Sequence, residues 1–338
     1  MSLAATAAQM VSADKGILAA DESVGTMSSR LEGAGVAPTA ENRAAYRACL
    51  LTTPDLNDGV SAIIYCDETL RQTLPDGRSF VEATVHAGLL AGIKVDTGAK
   101  PLAGAPGETV TEGLDGLRER LAEYAELGAR FAKWRAVITI GDSTPSPWSI
   151  RANAHALARY AALCQEAGIV PIVEPEVVMD GTHDLSRCAD VTGTVLRAVM
   201  SELEMSAVQL EGIVLKPNMV LPGKDSTDAA STDDMAGATM QTLRAVVPDE
   251  VAGIAFLSGG QGPVLATERL AAIRRHDAPW PMTFSFGRAL VDLALAEWRG
   301  DSDRVSDGQA ALAQRVRCNM AALNGTYGPG LERETVPQ

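Results

Sequence analysis

The sequence is short of histidine, of aromatic residues, of positive charge and of long apolar runs, and each shortage removes a class of answer. The four histidines, at 86, 155, 183 and 276, form no HxxxH pair and no His–Cys cluster, which argues against a zinc site. Five cysteines (49, 66, 164, 188 and 318) are odd in number and include no CxxC. They read as buried thiols of a reducing cytoplasm, not as a disulfide framework. No apolar stretch is long enough to span a bilayer. The opening Met1-Ser2-Leu3-Ala4-Ala5 lacks a basic n-region and an unbroken apolar h-region, so no secretion signal is evident. Aromatics make up only 4%, so a core must be packed from Ala, Leu, Val and Ile. Against 43 Asp and Glu stand 29 Lys and Arg; the net charge of −14 argues against a nucleic-acid surface. It does not argue against an anionic small molecule. Screening ends the far field within about 8 Å in physiological salt, so local lysines and arginines decide phosphate binding.

What is present is a rhythm. Short apolar segments alternate with polar or Gly/Pro-rich connections and longer helical patterns. The segments are Gly16–Ala20, Ser61–Tyr65, Gly92–Asp96, Arg130–Val137, Val170–Glu176, Gly212–Val220, Gly253–Ser258 and Met282–Gly287. Between them, Leu114–Leu127, Ile150–Ala167, Asp184–Leu203 and Ala266–Arg275 carry the three-and-four spacing of amphipathic helices. Gly168 and Gly212, each opening a strand after a helix, fit left-handed helix caps. Eight strands alternating with helices predict a (β/α)8 TIM barrel in preference to an open doubly wound sheet, and no GxGxxG follows the first strand. The 338 residues could hold one large domain or two ordinary ones, and no Pro- or Ser-rich linker divides them. The expectation is a single domain over 1–338. Extra helices are expected at 1–14 and 288–325, and a loose polar tail at 326–338.

The C-terminal ends of the strands, where a barrel enzyme keeps its chemistry, carry charge. They hold Asp21-Glu22-Ser23, Lys94 and Asp96, Lys133 and Arg135, Glu174 and Glu176, Lys216, and Arg288. Spacing of i, i+2 puts both members of a pair on one face of a strand. Alone, Lys216 before Pro217 reads as a lysine whose stem packs on the strand while its head reaches water. As a set, the charges are costly to bury unless every one is paired or has a task. A lysine among other cations has its pKa lowered, and a drop of about 3 units from the reference near 10.4 makes the free amine abundant near neutral pH. Such an amine attacks a carbonyl to give an iminium, an electron sink for breaking or making the adjacent C–C bond. Asp21, Glu174 and Glu176 are candidates to move the protons. Ser258-Gly259-Gly260 after the seventh strand and Gly287-Arg288 after the eighth suit a phosphate at helix N-termini; Ser-Gly-Gly alone is more often a plain turn, and the adjacent arginine strengthens the signal.

Taken together, these motifs resemble class I fructose-1,6-bisphosphate aldolases, the Schiff-base-forming type. The resemblance rests on Gly16–Ser23, Gly92–Asp96, Glu112–Leu117, Phe131–Arg135, Gly168–Glu176, Leu215–Val220, Phe256–Gln261 and Gly287–Leu290, in family order over roughly 14–325. It implies reversible cleavage of fructose 1,6-bisphosphate to dihydroxyacetone phosphate and glyceraldehyde 3-phosphate, in glycolysis and gluconeogenesis. It implies no cofactor and no metal, only small phosphorylated sugars as partners, a cytoplasmic location with no nucleic acid or membrane, and commonly a homotetramer. By position, Lys216 resembles the Schiff-base lysine and Glu174 the acid/base of carbinolamine formation and dehydration. Asp21 resembles the residue assisting C–C cleavage at the C4 hydroxyl, Lys133 the lysine that keeps the pocket cationic, and Glu176 a positioning carboxylate. Ser258, Gly259, Gly287 and Arg288 match the phosphate site on the dihydroxyacetone side. Lys94 and Arg135 resemble the grip on the other phosphate, with Ser23 and Arg30 on the segment that contacts it.

Two departures from the family pattern stand out. Animal members end in a tyrosine that enters the site; this chain ends Val336-Pro337-Gln338, and its last tyrosine is Tyr327. Either Tyr327 reaches in or its proton-exchange step is served differently. Phe286 stands where many members have tyrosine. Competing readings are a Schiff-base aldolase favouring fructose 1-phosphate or sedoheptulose 1,7-bisphosphate, and a barrel retained as a non-catalytic scaffold.

Overall fold

A computed structural model of the chain describes residues 1–333. Its eight core strands are all parallel: β1 (Gly16–Ala20), β2 (Val60–Tyr65), β3 (Leu90–Lys94), β4 (Phe131–Ile138), β5 (Val170–Val177), β6 (Val214–Leu215), β7 (Ile254–Phe256) and β8 (Met282–Phe286). Each pairs with the next, and β8 pairs back onto β1, so the sheet closes into the (β/α)8 barrel that the strand rhythm predicts. In chain order the helices of seven residues or more are α1 (Leu3–Met10), α2 (Val24–Gly33), α3 (Ala40–Leu51), α4 (Phe80–His86), α5 (Leu117–Glu126), α6 (Pro147–Glu166), α7 (Leu185–Met205), α8 (Thr232–Val246), α9 (Pro263–Arg274), α10 (Arg288–Trp298) and α11 (Val305–Asn324). No helix among the described residues is long and apolar enough to cross a membrane.

Alternation along the strands sorts the side chains into two cores. Leu18, Ala20, Ile63, Tyr65, Ile93, Ala132, Trp134 and Val173 pack outward against the helices. Ile17, Ala19, Ala62, Ile64, Phe131, Val170, Ile172 and Val214 fill the barrel, and Ala7, Met10 and Val11 of the N-terminal segment seal its lower end. Continuing each inward row by two residues gives Asp21, Lys133, Glu174 and Lys216. The charged upper layer therefore follows from the pleat of strands whose lower layers are apolar.

Local signals set most helix boundaries. Ser146 caps α6 and Pro147 takes its first position, so that helix begins ahead of the expected Ile150. Asp184 caps α7. Gly168 adopts φ +72 as the predicted left-handed cap. Gly212 does not: it sits in a 3-10 turn, Leu210–Gly212, and Ala207 (φ +52) supplies the left-handed residue after α7. The expected strand over Gly212–Val220 shrinks accordingly to Val214–Leu215. Even so, the Lys216 N–H still donates to Val173 O at 2.8 Å, which holds the lysine in the ladder. The helical block expected over 288–325 is broken into α10 and α11 where Arg299 and Gly300 both take positive φ.

Apolar spacing did not single out α2, α3, α4 or α8, nor a two-stranded hairpin, Gly98–Pro101 with Thr109–Glu112, inserted after β3. In α3 the reason is visible, because its buried face includes Arg43 and Arg47. Of the tail expected to be loose, residues 326–333 make specific contacts. Tyr327 Oη donates to Glu332 at 2.7 Å, and Glu332 pairs with buried Arg315 of α11. Residues 334–338 of that tail lie outside the described residues.

Barrel packing depends on a missing side chain at Gly92, where an added Cβ would lie 2.2 Å from the Phe131 ring. Gly92→Ala is expected to destabilise the fold by about 1–3 kcal/mol through overpacking, seen as a lower urea midpoint at unchanged slope. A midpoint equal to the parent's would show that Phe131 does not need that space.

Candidate active site

All thirteen site residues predicted from the sequence line one cavity of about 560 Å³ at the C-terminal mouth of the barrel. Its wall carries six cations (Arg30, Lys94, Lys133, Arg135, Lys216, Arg288) and five carboxylates (Asp21, Glu22, Asp96, Glu174, Glu176). At full ionisation the sum is +1, inside a chain of net charge −14. The cavity wall thus supplies the local positive balance that an anion needs and the whole molecule lacks.

Four strands build the centre. Lys133 Nζ of β4 lies 2.6 Å from Asp21 Oδ2, just beyond β1, and 3.4 Å from Glu174 Oε2 of β5. Lys216 Nζ lies 3.3 Å from the other oxygen, Glu174 Oε1. One buried carboxylate therefore stands between two buried lysines. Burial pushes the Asp21 and Glu174 carboxyls up, but Lys133 and Lys216 outweigh it and hold both below the ordinary carboxylate range. Burial pushes Lys133 down, yet Asp21 and Glu174 more than reverse this, leaving its ammonium harder to deprotonate than a free lysine. Glu174 Oε2 accepts no hydrogen bond and keeps lone-pair capacity for a proton.

Around this centre the other cations are mostly engaged. Lys94 Nζ donates to Asp96 Oδ1 at 2.6 Å and to Asp96 O at 2.8 Å. Arg135 pairs with Glu176, and Arg30 with Glu22 and Asp292. Arg288 differs, since it is exposed and pairs with no carboxylate among the described residues. It opens α10 after Gly287, and a Cβ on Gly260 would sit 3.5 Å from its guanidinium. Gly259 and Gly260 both have positive φ, which glycine tolerates without a Cβ penalty. Gln261 Nε2 donates to Ser258 O at 2.8 Å and so braces the turn. The N-terminus of α10 and a free guanidinium thus meet on the face carrying Ser258 and Gly287.

Tyr327 is elsewhere. Its hydroxyl is taken by Glu332, and it does not line the cavity, so the alternative in which it reaches in does not describe this structure. Phe286 stacks on Phe284 with centroids 5.3 Å apart, in the outer core, so the missing hydroxyl is replaced by aromatic packing. Sequence reasoning missed Ser285, which lines the cavity and whose buried Oγ has no partner. The signal was available: Ser285 is two residues before Gly287, on the inward row. No group of three or more His, Cys, Asp or Glu with metal-site geometry occurs among the described residues.

The comparisons agree with this geometry. The family model described as class-I fructose-bisphosphate aldolase matches residues 2–337. The chain belongs to that family. Among similar proteins, a probable class 1 fructose-bisphosphate aldolase of Xylella fastidiosa is 52% identical over 329 residues, 97% of each chain. Fructose-bisphosphate aldolase C of Rattus norvegicus is 49% identical, covering 95% of this chain and 89% of that one. A solved structure of fructose-bisphosphate aldolase from Plasmodium falciparum superposes with a TM-score of 0.95 at 43% identity, over 97% of this chain and 95% of that one.

The depressed carboxyls have a consequence for stability. The folded chain binds fewer protons than the unfolded chain, so Asp21 and Glu174 contribute fully above the unfolded pKa near 4. That contribution is lost as pH falls through the lower folded values. Denaturant melts at stepped acid pH should show a shallower acid limb for Asp21→Asn than for the parent. Superimposable limbs would contradict the assignment.

Proposed function

We propose that the chain cleaves fructose 1,6-bisphosphate reversibly to dihydroxyacetone phosphate and glyceraldehyde 3-phosphate through a Schiff base on Lys216. The supporting observation is the single carboxylate, Glu174, held between Lys216 and Lys133 in the cavity. The free amine of Lys216 attacks the C2 carbonyl to form a carbinolamine. Glu174 is the nearest group to take and return the protons as the carbinolamine loses water to give the iminium. Asp21, charged and inward-facing, then takes the proton of the C4 hydroxyl. The C3–C4 bond breaks, its electron pair moves toward the iminium, and the aldehyde leaves. Protonation at C3 and hydrolysis of the resulting enamine release the ketone and restore the amine. Lys133, held positive by its two carboxylates, keeps Asp21 and Glu174 ionised. Glu176 fixes Arg135.

In this reading the two phosphates are met differently. The phosphate on the dihydroxyacetone side binds at Ser258, Gly259, Gly287 and Arg288, where the guanidinium is already free. The distal phosphate is held by Lys94, Arg135, Ser23 and Arg30. The three distal cations are each paired with a carboxylate before substrate arrives, so binding there is an exchange of partners. The homotetramer and the cytoplasmic setting implied by the resemblance belong to the same reading, as does activity without a metal.

Borohydride reduction with dihydroxyacetone phosphate, in EDTA, is expected to label Lys216, and Lys216→Met to abolish both label and cleavage. A label at another residue, or activity lost to EDTA, would overturn the mechanism. Separately, Lys94→Met is expected to lower kcat/KM for fructose 1,6-bisphosphate by about 10- to 100-fold, the range of a lost charged hydrogen bond. Fructose 1-phosphate, which lacks the distal phosphate, should be spared. Equal losses on both substrates would remove Lys94 from the distal site.

A further inference from the structure

Arg47 is a cation with no ordinary reason to be where it is. It projects from α3 into the layer behind β1, with only 1% of its surface exposed. Its Nε donates to Ala20 O at 2.7 Å and its Nη2 to Glu22 Oε2 at 2.7 Å. The third nitrogen, Nη1, is buried without a partner. A buried arginine with an unmet donor is a poor stabiliser, and an apolar side chain of similar volume often serves a fold as well or better. Its contacts suggest what it does instead. Ala20 and Glu22 are the two neighbours of Asp21 in the chain. Ala20 is the last residue of β1, paired with Tyr65 of β2, so its carbonyl lies where that ladder ends. Arg47 takes over where the ladder stops.

We infer that Arg47 is a positioning residue for Asp21: it clamps the residues on either side and so fixes where the Asp21 carboxylate projects into the cavity. The rest of the geometry follows from this clamp. Asp21 continues the inward row of β1 and meets Lys133 at 2.6 Å, while the Arg47 guanidinium holds the Ala20 carbonyl just before it. Glu22 carries the same clamp to the substrate side, because its other oxygen pairs with Arg30 on the cavity wall. A planar guanidinium with donors in a fixed fork makes both contacts at once, which a lysine cannot do. A misplacement of the order of 1 Å costs about 100-fold in a rate that depends on such alignment.

The inference rests on the role proposed for Asp21, and the test separates the two. Cleavage of fructose 1,6-bisphosphate and borohydride trapping of dihydroxyacetone phosphate at Lys216 are measured side by side, since trapping needs no C–C cleavage. Arg47→Lys is expected to lower kcat by about 10- to 100-fold while trapping stays within about twofold of the parent. Asp21→Asn should show the same split. If Asp21→Asn splits the two readouts and Arg47→Lys leaves kcat unchanged, or lowers trapping as far as kcat, the clamp is wrong. If Asp21→Asn does not split them, the role of Asp21 fails and the inference with it. Should Arg47→Lys not fold, Glu22→Ala removes one jaw from a partly exposed position. It is expected to lower kcat on fructose 1-phosphate, which has no distal phosphate for Arg30 to hold, with trapping retained. An unchanged kcat there overturns the inference.

Discussion

The structure turns on one carboxylate. Glu174 is buried with a lysine on each oxygen, at 3.3 and 3.4 Å, and the three groups cannot be separated without leaving a buried charge uncompensated in the barrel. Taking such a partner away typically costs about 3–5 kcal/mol, far more than the intact cluster contributes to stability. The cluster therefore acts less as a stabiliser than as a constraint. It holds Asp21, Lys133 and Glu174 in one charge state, in which the carboxyls are ionised and Lys133 is firmly positive. Proton traffic for iminium chemistry needs that state, with an open lone pair on Glu174.

That constraint is affordable because the barrel below it is dry. Phe131, Val170, Ile172 and Val214 occupy the inward rows beneath the charges, and the N-terminal helix closes the far end. Gly92 makes room for Phe131 in this layer. Apolar layers under a charged one keep water from entering from below, so the ion pairs act on each other at a lower effective dielectric than at a surface. The same alternation that buries isoleucines at one end of a strand delivers lysines and carboxylates at the other.

Neighbouring groups orient the central ones. Arg47 and Glu22 brace the segment carrying Asp21, Asp96 and Glu176 hold Lys94 and Arg135, and Gln261 braces the turn at Ser258. Lys94, Arg135 and Arg30 in the cavity wall are thus pre-paired, whereas Arg288 is free. In the proposed reading the two phosphates of the substrate meet unlike electrostatics, and this asymmetry gives it a direction in the site.

Much of this was legible from the residues. Apolar pulses followed by charge at i, i+2 reported both the barrel and the inward rows, because a pleat with period two is a local property of the chain. Glycine turns ahead of helices reported the cavity wall that carries Ser258 and Gly287 for the same reason. Other features were not legible, since they depend on what meets across the fold. The arginines on the buried face of α3 hide that helix from apolar periodicity, and only the tertiary structure shows that Arg47 reaches the back of β1. The length of β6 was decided by the 3-10 turn before it, and the contacts of residues 326–333 by Arg315 on a separate helix. At Lys216 the division is sharpest. The sequence determined that a lysine would stand at a strand end before proline. Only the assembled sheet decided that it would share a carboxylate with Lys133, because the strands of the two lysines flank the strand that carries Glu174.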